Sequence, residues 1–187
     1  MTTDPAEPAM IRLFAALPLP DEIRDGLVRR QHGLSQARWS PAENLHITLR
    51  FAGALAETQA ADLDSELSRV AGEPLDLTLE GVGAFGEGRD IHAIWAGVAE
   101  NPALRHLAQA CESASRRAGL AADTRSYRPH VTLAYLRRPD PLAVAGWIQA
   151  NNLLKSPTFR LDRFGLYSSH PTKSGSRYQL VRVYDLG

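Results

Sequence analysis

Cysteine is nearly absent: Cys111 stands alone in 187 residues. That excludes an intramolecular disulfide and a zinc site of the multi-cysteine kind. Lysine is scarce as well, limited to Lys155 and Lys173. Arginine supplies the remaining positive charge, and its planar fork suits phosphate and carboxylate. Charge of one sign has no excess, because 21 basic residues balance 21 acidic ones. That balance argues against a protein that coats long nucleic acid by phosphate neutralisation, and it does not exclude a small basic pocket. No run of about eighteen apolar residues occurs, so no membrane-spanning helix is expected. Ile11–Pro20 is apolar but short, and it follows Asp4 and Glu7 where a secretory signal would carry positive charge. The expectation is a chain of the reducing cytoplasm, with residues 1–9 a disordered polar leader and 10–187 one bilobal domain. Hydrophobic residues make up 44%, enough for a core.

The apolar periodicity predicts strands at Ile11–Leu17, Leu45–Phe51, Leu75–Glu80, Ile91–Val98, His130–Leu136, Phe159–Tyr167 and Tyr178–Tyr184. It predicts helices from Asp21, as cap, to about Gly33, over Glu57–Val70, from an Asn101 cap to about Ala118, and over Pro141–Ala150. Gly81–Gly88 reads as a loop or a bulged strand end, and Ser168–Arg177 as the loop of a closing hairpin. The order strand, helix, turn-rich approach, strand occurs twice. Strands and crossover helices do not alternate regularly, so the expected class is α+β. Two pseudo-symmetric lobes of mostly antiparallel sheet, flanked by helices, would face each other across a cleft.

His46-Ile47-Thr48-Leu49 recurs as His130-Val131-Thr132-Leu133, 84 positions on. Six histidines in a chain with this threonine content would give roughly 0.3 His-x-Thr triplets by chance. On a strand, residues i and i+2 share a face. Each His and Thr would thus look into solvent or a cleft, while Leu45, Ile47, Leu49, Val131 and Leu133 are buried. Two imidazoles with ordinary pKa values near 6.5 can divide into one neutral and one protonated ring near neutral pH. Such a pair supplies general base and general acid on opposite sides of a phosphoryl group. The threonine hydroxyls can donate to its non-bridging oxygens.

These motifs resemble those of the two-histidine phosphoesterase superfamily, and within it the RNA 2′,3′-cyclic phosphodiesterases, also called 2′-5′ RNA ligases. Further segments match: Arg12-Leu-Phe14 at the start, Trp39 to Gly53 around the first motif, Arg125-Ser-Tyr127 before the second, and Phe164 to Tyr178 at the hairpin. The resemblance implies hydrolysis of an RNA terminal 2′,3′-cyclic phosphate to a 2′-phosphomonoester without metal or other cofactor, and it implies reversibility as 2′-5′ ligation. It assigns His46 as proton donor, His130 as proton acceptor, and Thr48 and Thr132 to the phosphate. Arg12, Phe14, Arg125, Tyr127, Tyr135, Ser168 and Tyr178 follow as candidate substrate contacts. Many relatives carry Arg two positions after the second motif's Leu; here Tyr135 stands there, and Arg137 or Arg138 are the substitutes offered by the sequence.

Substrates would be RNA 3′ ends or nucleotide 2′,3′-cyclic phosphates, with no membrane and no obligate protein partner, the protein acting as a monomer. The alternatives are a phosphodiesterase for a small cyclic phosphate and a nucleotide-binding module without turnover. Elsewhere, Phe14, Tyr127 and Trp39 are candidates to stack on a base, with core packing the competing reading. His32 and His106 read as surface residues, His92 as an edge residue, and His170 as part of the hairpin loop.

Overall fold

The computed structural model describes residues 10–187; the expected leader at 1–9 lies outside the described residues. Ten strands are present: β1 (Met10–Pro18), β2 (Arg38–Trp39), β3 (His46–Ala56), β4 (Leu75–Leu77), β5 (Leu79–Phe85), β6 (Ala93–Val98), β7 (His130–Tyr135), β8 (Phe159–Leu161), β9 (Arg163–Thr172) and β10 (Gly175–Asp185). The helices are α1 (Asp21–Val28), α2 (Glu57–Leu67), α3 (Pro102–Arg117) and α4 (Pro141–Asn151). One four-stranded sheet has the order β10-β9-β1-β3 and another the order β2-β7-β6-β5, with β4-β8 as a separate pair. Every pairing is antiparallel. The expected α+β class, with its two facing lobes, is what the chain forms.

The burial pattern explains the placement of the motif strands. Leu13 to Leu17 are all buried, because β1 lies inside its sheet, with α2 packed on one face and cleft aromatics on the other. A strand covered on both faces reads as an unbroken apolar run. Leu45, just before β3, and Ile47 and Leu49 within it are buried, while His46, Thr48 and Arg50 are half-buried. Helices α2 and α3 pack together and against β3, and α4 packs on β5. Asn101 caps α3 as expected, its side chain accepting from Leu104 N at 2.9 Å. Cys111 is fully buried on that helix and its thiol is pushed up to about 12 by desolvation. It is a small core residue.

Several boundaries differ from the sequence reading, each for a local reason. Pro20, not Asp21, precedes the first turn of α1, and no side chain caps it. The helix stops at Val28, short of the expected Gly33, whose φ of +86° belongs to a turn. Leu75–Glu80 is two strands, because the chain leaves the β4-β8 pair at Thr78 and enters the second sheet at Leu79. Phe159–Tyr167 divides the same way at Asp162. The closing hairpin is longer than expected: Ser168 and His170 lie in β9, Tyr178 in β10, and only Lys173 and Ser174 make the turn.

The glycine-rich segment is also mostly strand. Gly81, Gly83 and their neighbours form β5, and Gly83 pairs directly with Trp95. A Cβ on Gly83 would sit 2.4 Å from the Trp95 ring. The indole lies flat across the place where a side chain would stand.

Candidate active site

Both motif strands share a defect. In the β1–β3 register, Ala15 faces Arg50 and Ala16 faces Thr48, which leaves Leu49 extra. In the β6–β7 register, Ile94 faces Ala134 and Trp95 faces Thr132, which leaves Leu133 extra. The fourth residue of each motif is thus a β-bulge, and a bulge shifts the following side chains to the other face. Tyr135 thereby returns to the face of His130 and Thr132 and lines the cleft. Its counterpart Phe51, 84 positions earlier, packs 5.7 Å from Phe14 beside His46.

The two imidazoles are held alike at Nδ1. His46 Nδ1 lies 2.6 Å from the Asn44 carbonyl oxygen, and His130 Nδ1 lies 2.6 Å from that of Arg128. A carbonyl only accepts, so each Nδ1 carries the proton and each Nε2 is left with its lone pair. His46 Nε2 is 3.0 Å from Thr48 Oγ1, whose hydroxyl donates to it. Aromatic rings pack each imidazole: Phe14 at 5.0 Å and Tyr178 at 5.3 Å for His46, Phe85 at 4.8 Å and Trp95 at 6.4 Å for His130.

That packing overturns the expectation of two pKa values near 6.5. Burial lowers His46 to about 4; the Asn44 carbonyl opposes the shift, and the His130 charge adds to it. Burial lowers His130 as well, against the pull of the Arg128 carbonyl. Both rings therefore favour the neutral form at pH 7.

The segment that delivers His130 is sewn onto the first motif strand. Tyr127 Oη donates to the Thr48 carbonyl at 3.0 Å, and Arg50 Nη2 donates to the Ala121 carbonyl at 2.7 Å. Arg50 also pairs with Glu112 on α3, whose other oxygen accepts from Asp123 N at 3.1 Å. Relative placement of the two histidines is therefore fixed by contacts between β3, α3 and residues 121–129.

The cleft itself is a cavity of about 290 Å³ between the sheets, reaching from His46 and Thr132 to the hairpin turn. None of its lining residues carries a carboxylate, and Arg38 is its permanent cation. Ser40, Thr132, Tyr135, Thr172, Ser174, Ser176 and Tyr178 present hydroxyls to it. Among the described residues, no group of three or more His, Cys, Asp or Glu is arranged to hold a metal ion. Nor, among the described residues, is any helix long and apolar enough to cross a membrane.

Of the candidate contacts, Tyr135 and Tyr178 line this cleft. The others do not stand where the sequence reading put them. Phe14 is 2% exposed and lies beneath His46, so no base reaches its face. Tyr127 is engaged by Thr48 and packed on the core. Arg125 is committed to Asp123, at 2.8 Å, beside a separate cavity near Arg50. Ser168 is buried and bonded to His170 Nε2 at 2.9 Å. Arg12 is exposed on β1 opposite Ala54, outside the cleft lining. Trp39 lines the cleft and also packs 6.2 Å from Trp147, the contact that the core-packing reading requires. His32, His92 and His106 are exposed, and His170 is an exposed strand residue rather than a loop residue.

Sequence reasoning missed Arg38, the two carbonyl clasps, and the Phe85 and Trp95 packing. Arg137 and Arg138 do not line the cleft; Arg38 does. It enters through β2, a strand of two residues paired with β7. So short a strand has no periodicity to read.

A family model described as the 2′-5′ RNA ligase superfamily matches residues 17–173. The RNA 2′,3′-cyclic phosphodiesterase of Archaeoglobus fulgidus is 30% identical over 178 residues, covering 94% of this chain and 100% of that protein. That of Escherichia coli is 33% identical over 126 residues, 65% of this chain and 70% of the relative. The crystal structure of Escherichia coli LigT complexed with 3′-AMP superposes with a TM-score of 0.77 at 27% identity, covering 95% of this chain and 98% of that one.

Proposed function

The chain belongs to the 2′-5′ RNA ligase superfamily, and from that premise we propose that it is an enzyme hydrolysing RNA terminal 2′,3′-cyclic phosphate to a 2′-phosphomonoester. The observation that carries this reading is the duplicated half-site: two imidazoles, each clasped through Nδ1 by a carbonyl two residues upstream. The cyclic phosphate sits between the two Nε2 atoms. Thr48 and Thr132 hydroxyls donate to its non-bridging oxygens. His130 Nε2 takes a proton from water as its oxygen bonds to phosphorus. The bond from phosphorus to O3′ breaks, and His46 Nε2–H gives its proton to the departing oxygen. Exchange with solvent then moves one proton from His130 to His46. With the 5′-hydroxyl of a second RNA end in place of water, the same transfers run in the same direction: that oxygen bonds to phosphorus as O3′ leaves, and a 2′-5′ linkage forms.

The acid needs a proton that burial of His46 opposes. The anionic phosphate supplies the opposing field. An opposite charge a few ångströms away raises an imidazole pKa, so substrate and proton bind together. Both proton transfers are accounted for by the histidine pair, without a cofactor. We read 10–187 as a single bilobal unit, since its core runs continuously through both sheets.

The test is turnover of an RNA oligonucleotide ending in 2′,3′-cyclic phosphate, with EDTA present, for wild type, His46→Ala and His130→Ala. A 2′-phosphate product from wild type, with each variant reduced roughly 10²–10⁴-fold, is expected. Wild-type binding without turnover would refute the hydrolase reading in favour of a binding module. Turnover of only a small cyclic phosphate would refute the RNA assignment.

A further inference from the structure

Arg38 has no role in the chemistry above, yet the structure holds it with care. It pairs across the β2–β7 ladder with Tyr135, and its guanidinium lies over that ring, 5.0 Å from the centroid. On its other side it abuts the hairpin: a Cβ on Gly175, where φ is +147°, would be 2.6 Å from Arg38 Nη1. The side chain is therefore set between a ring from one sheet and a glycine from the other. Among the described residues it makes no ion pair, although ten other cationic side chains do. An arginine left unpaired in a carboxylate-free, hydroxyl-lined cleft is a site for an anion.

Position separates that anion from the reacting one. Thr132 stands beside the reacting phosphate, and Tyr135 lies past the bulge, about two strand steps or roughly 7 Å further along β7. Arg38 lies opposite Tyr135, at that further point. Taking the hydrolase reading above as given, we propose that Arg38 is the cationic subsite for the phosphodiester immediately 5′ of the terminal cyclic phosphate. The preferred substrate class is then an oligonucleotide end, not a mononucleotide. Tyr135 holds the guanidinium by stacking, and Gly175 leaves it room to lie there.

Charge must be varied on both partners to test this. Two dinucleotides ending in 2′,3′-cyclic phosphate are compared, one with a natural phosphodiester linkage and one with an uncharged methylphosphonate. Wild type, Arg38→Gln and Arg38→Lys are each assayed for kcat/KM at low and at moderate salt. Wild type should prefer the charged linkage by about tenfold, less at higher salt. In Arg38→Gln the two substrates should converge to within about twofold, and Arg38→Lys should keep most of the preference. An equal loss on both substrates would overturn the proposal, since Arg38 would then act on the reacting phosphate or on the fold. So would an undiminished preference in Arg38→Gln. Binding of the matching dinucleotide 2′-monophosphates, charged and methylphosphonate-linked, is titrated in parallel. Charge-dependent binding that needs Arg38, without wild-type turnover, would defeat the hydrolase reading and leave the subsite standing.

Discussion

Lowering the pH should unfold the protein partly through His46, and replacing that ring should remove the effect. His46 titrates at about 4 in the fold against 6.5 as a free side chain. The folded state thus favours the neutral ring. Its stabilising contribution is complete above pH 6.5 and is lost as pH falls from 6.5 towards 4. With 1.36 kcal/mol for each pKa step, the loss is about 2 kcal/mol by pH 5 and about 3 kcal/mol below pH 4. His46→Asn is the suitable perturbation: its amide nitrogen replaces Nδ1 as donor to the Asn44 carbonyl but binds no proton. Urea unfolding of both proteins from pH 7.5 to pH 4.5, in buffer free of phosphate, gives the difference in stability at each pH. Carboxylates common to both cancel in that difference. The wild type should lose about 2 kcal/mol relative to the variant between pH 7.5 and pH 5. A difference independent of pH would refute the argument that Phe14 and Tyr178 keep water from the ring.

The same burial shapes the kinetics. With both imidazoles titrating below their free value, kcat/KM should peak on the acid side of pH 6.5, not at neutrality, while kcat should peak at higher pH because the bound anion raises both rings. Coincident profiles would contradict proton-linked binding. Gly83→Ala must displace the Trp95 ring from beneath His130; thermal or urea unfolding should register a loss of about 1–3 kcal/mol, and His130-dependent turnover should fall with it. Tyr127→Phe removes the hydroxyl that bonds the Thr48 carbonyl and should cost about 1 kcal/mol in urea unfolding. Unchanged stability there would mean that the approach to the second motif is anchored by Arg50 and Glu112 alone.

Much of this site was legible because strand alternation is a strong local signal. His46 with Thr48 and His130 with Thr132 faced together on sequence spacing alone, and their apolar neighbours are buried as that spacing requires. What escaped the sequence was non-local. Arg38 reaches the cleft through one pairing with Tyr135, almost a hundred positions away, and nothing in either segment announces the other. Tyr135 itself faces the cleft only because Leu133 is bulged; strict alternation from Thr132 would turn it away. Phe14 failed as a stacking platform for a different reason. Its face was read correctly, but the ring is covered by His46 and Tyr178, and a residue's face does not report what lies over it. Arg125 was misplaced because a carboxylate two residues away, Asp123, claims it.

The clasp on each imidazole is made of main chain. Asn44 and Arg128 have little in common but a carbonyl, and a substitution at either leaves that oxygen in place. An imidazole aimed by a side-chain carboxylate would depend on a second gene position that drifts separately. Here orientation is inherited with the strand. Copying one lobe would deliver a second imidazole already aimed, so an internal duplication could yield an acid and a base in a single event, leaving only their surroundings to diverge.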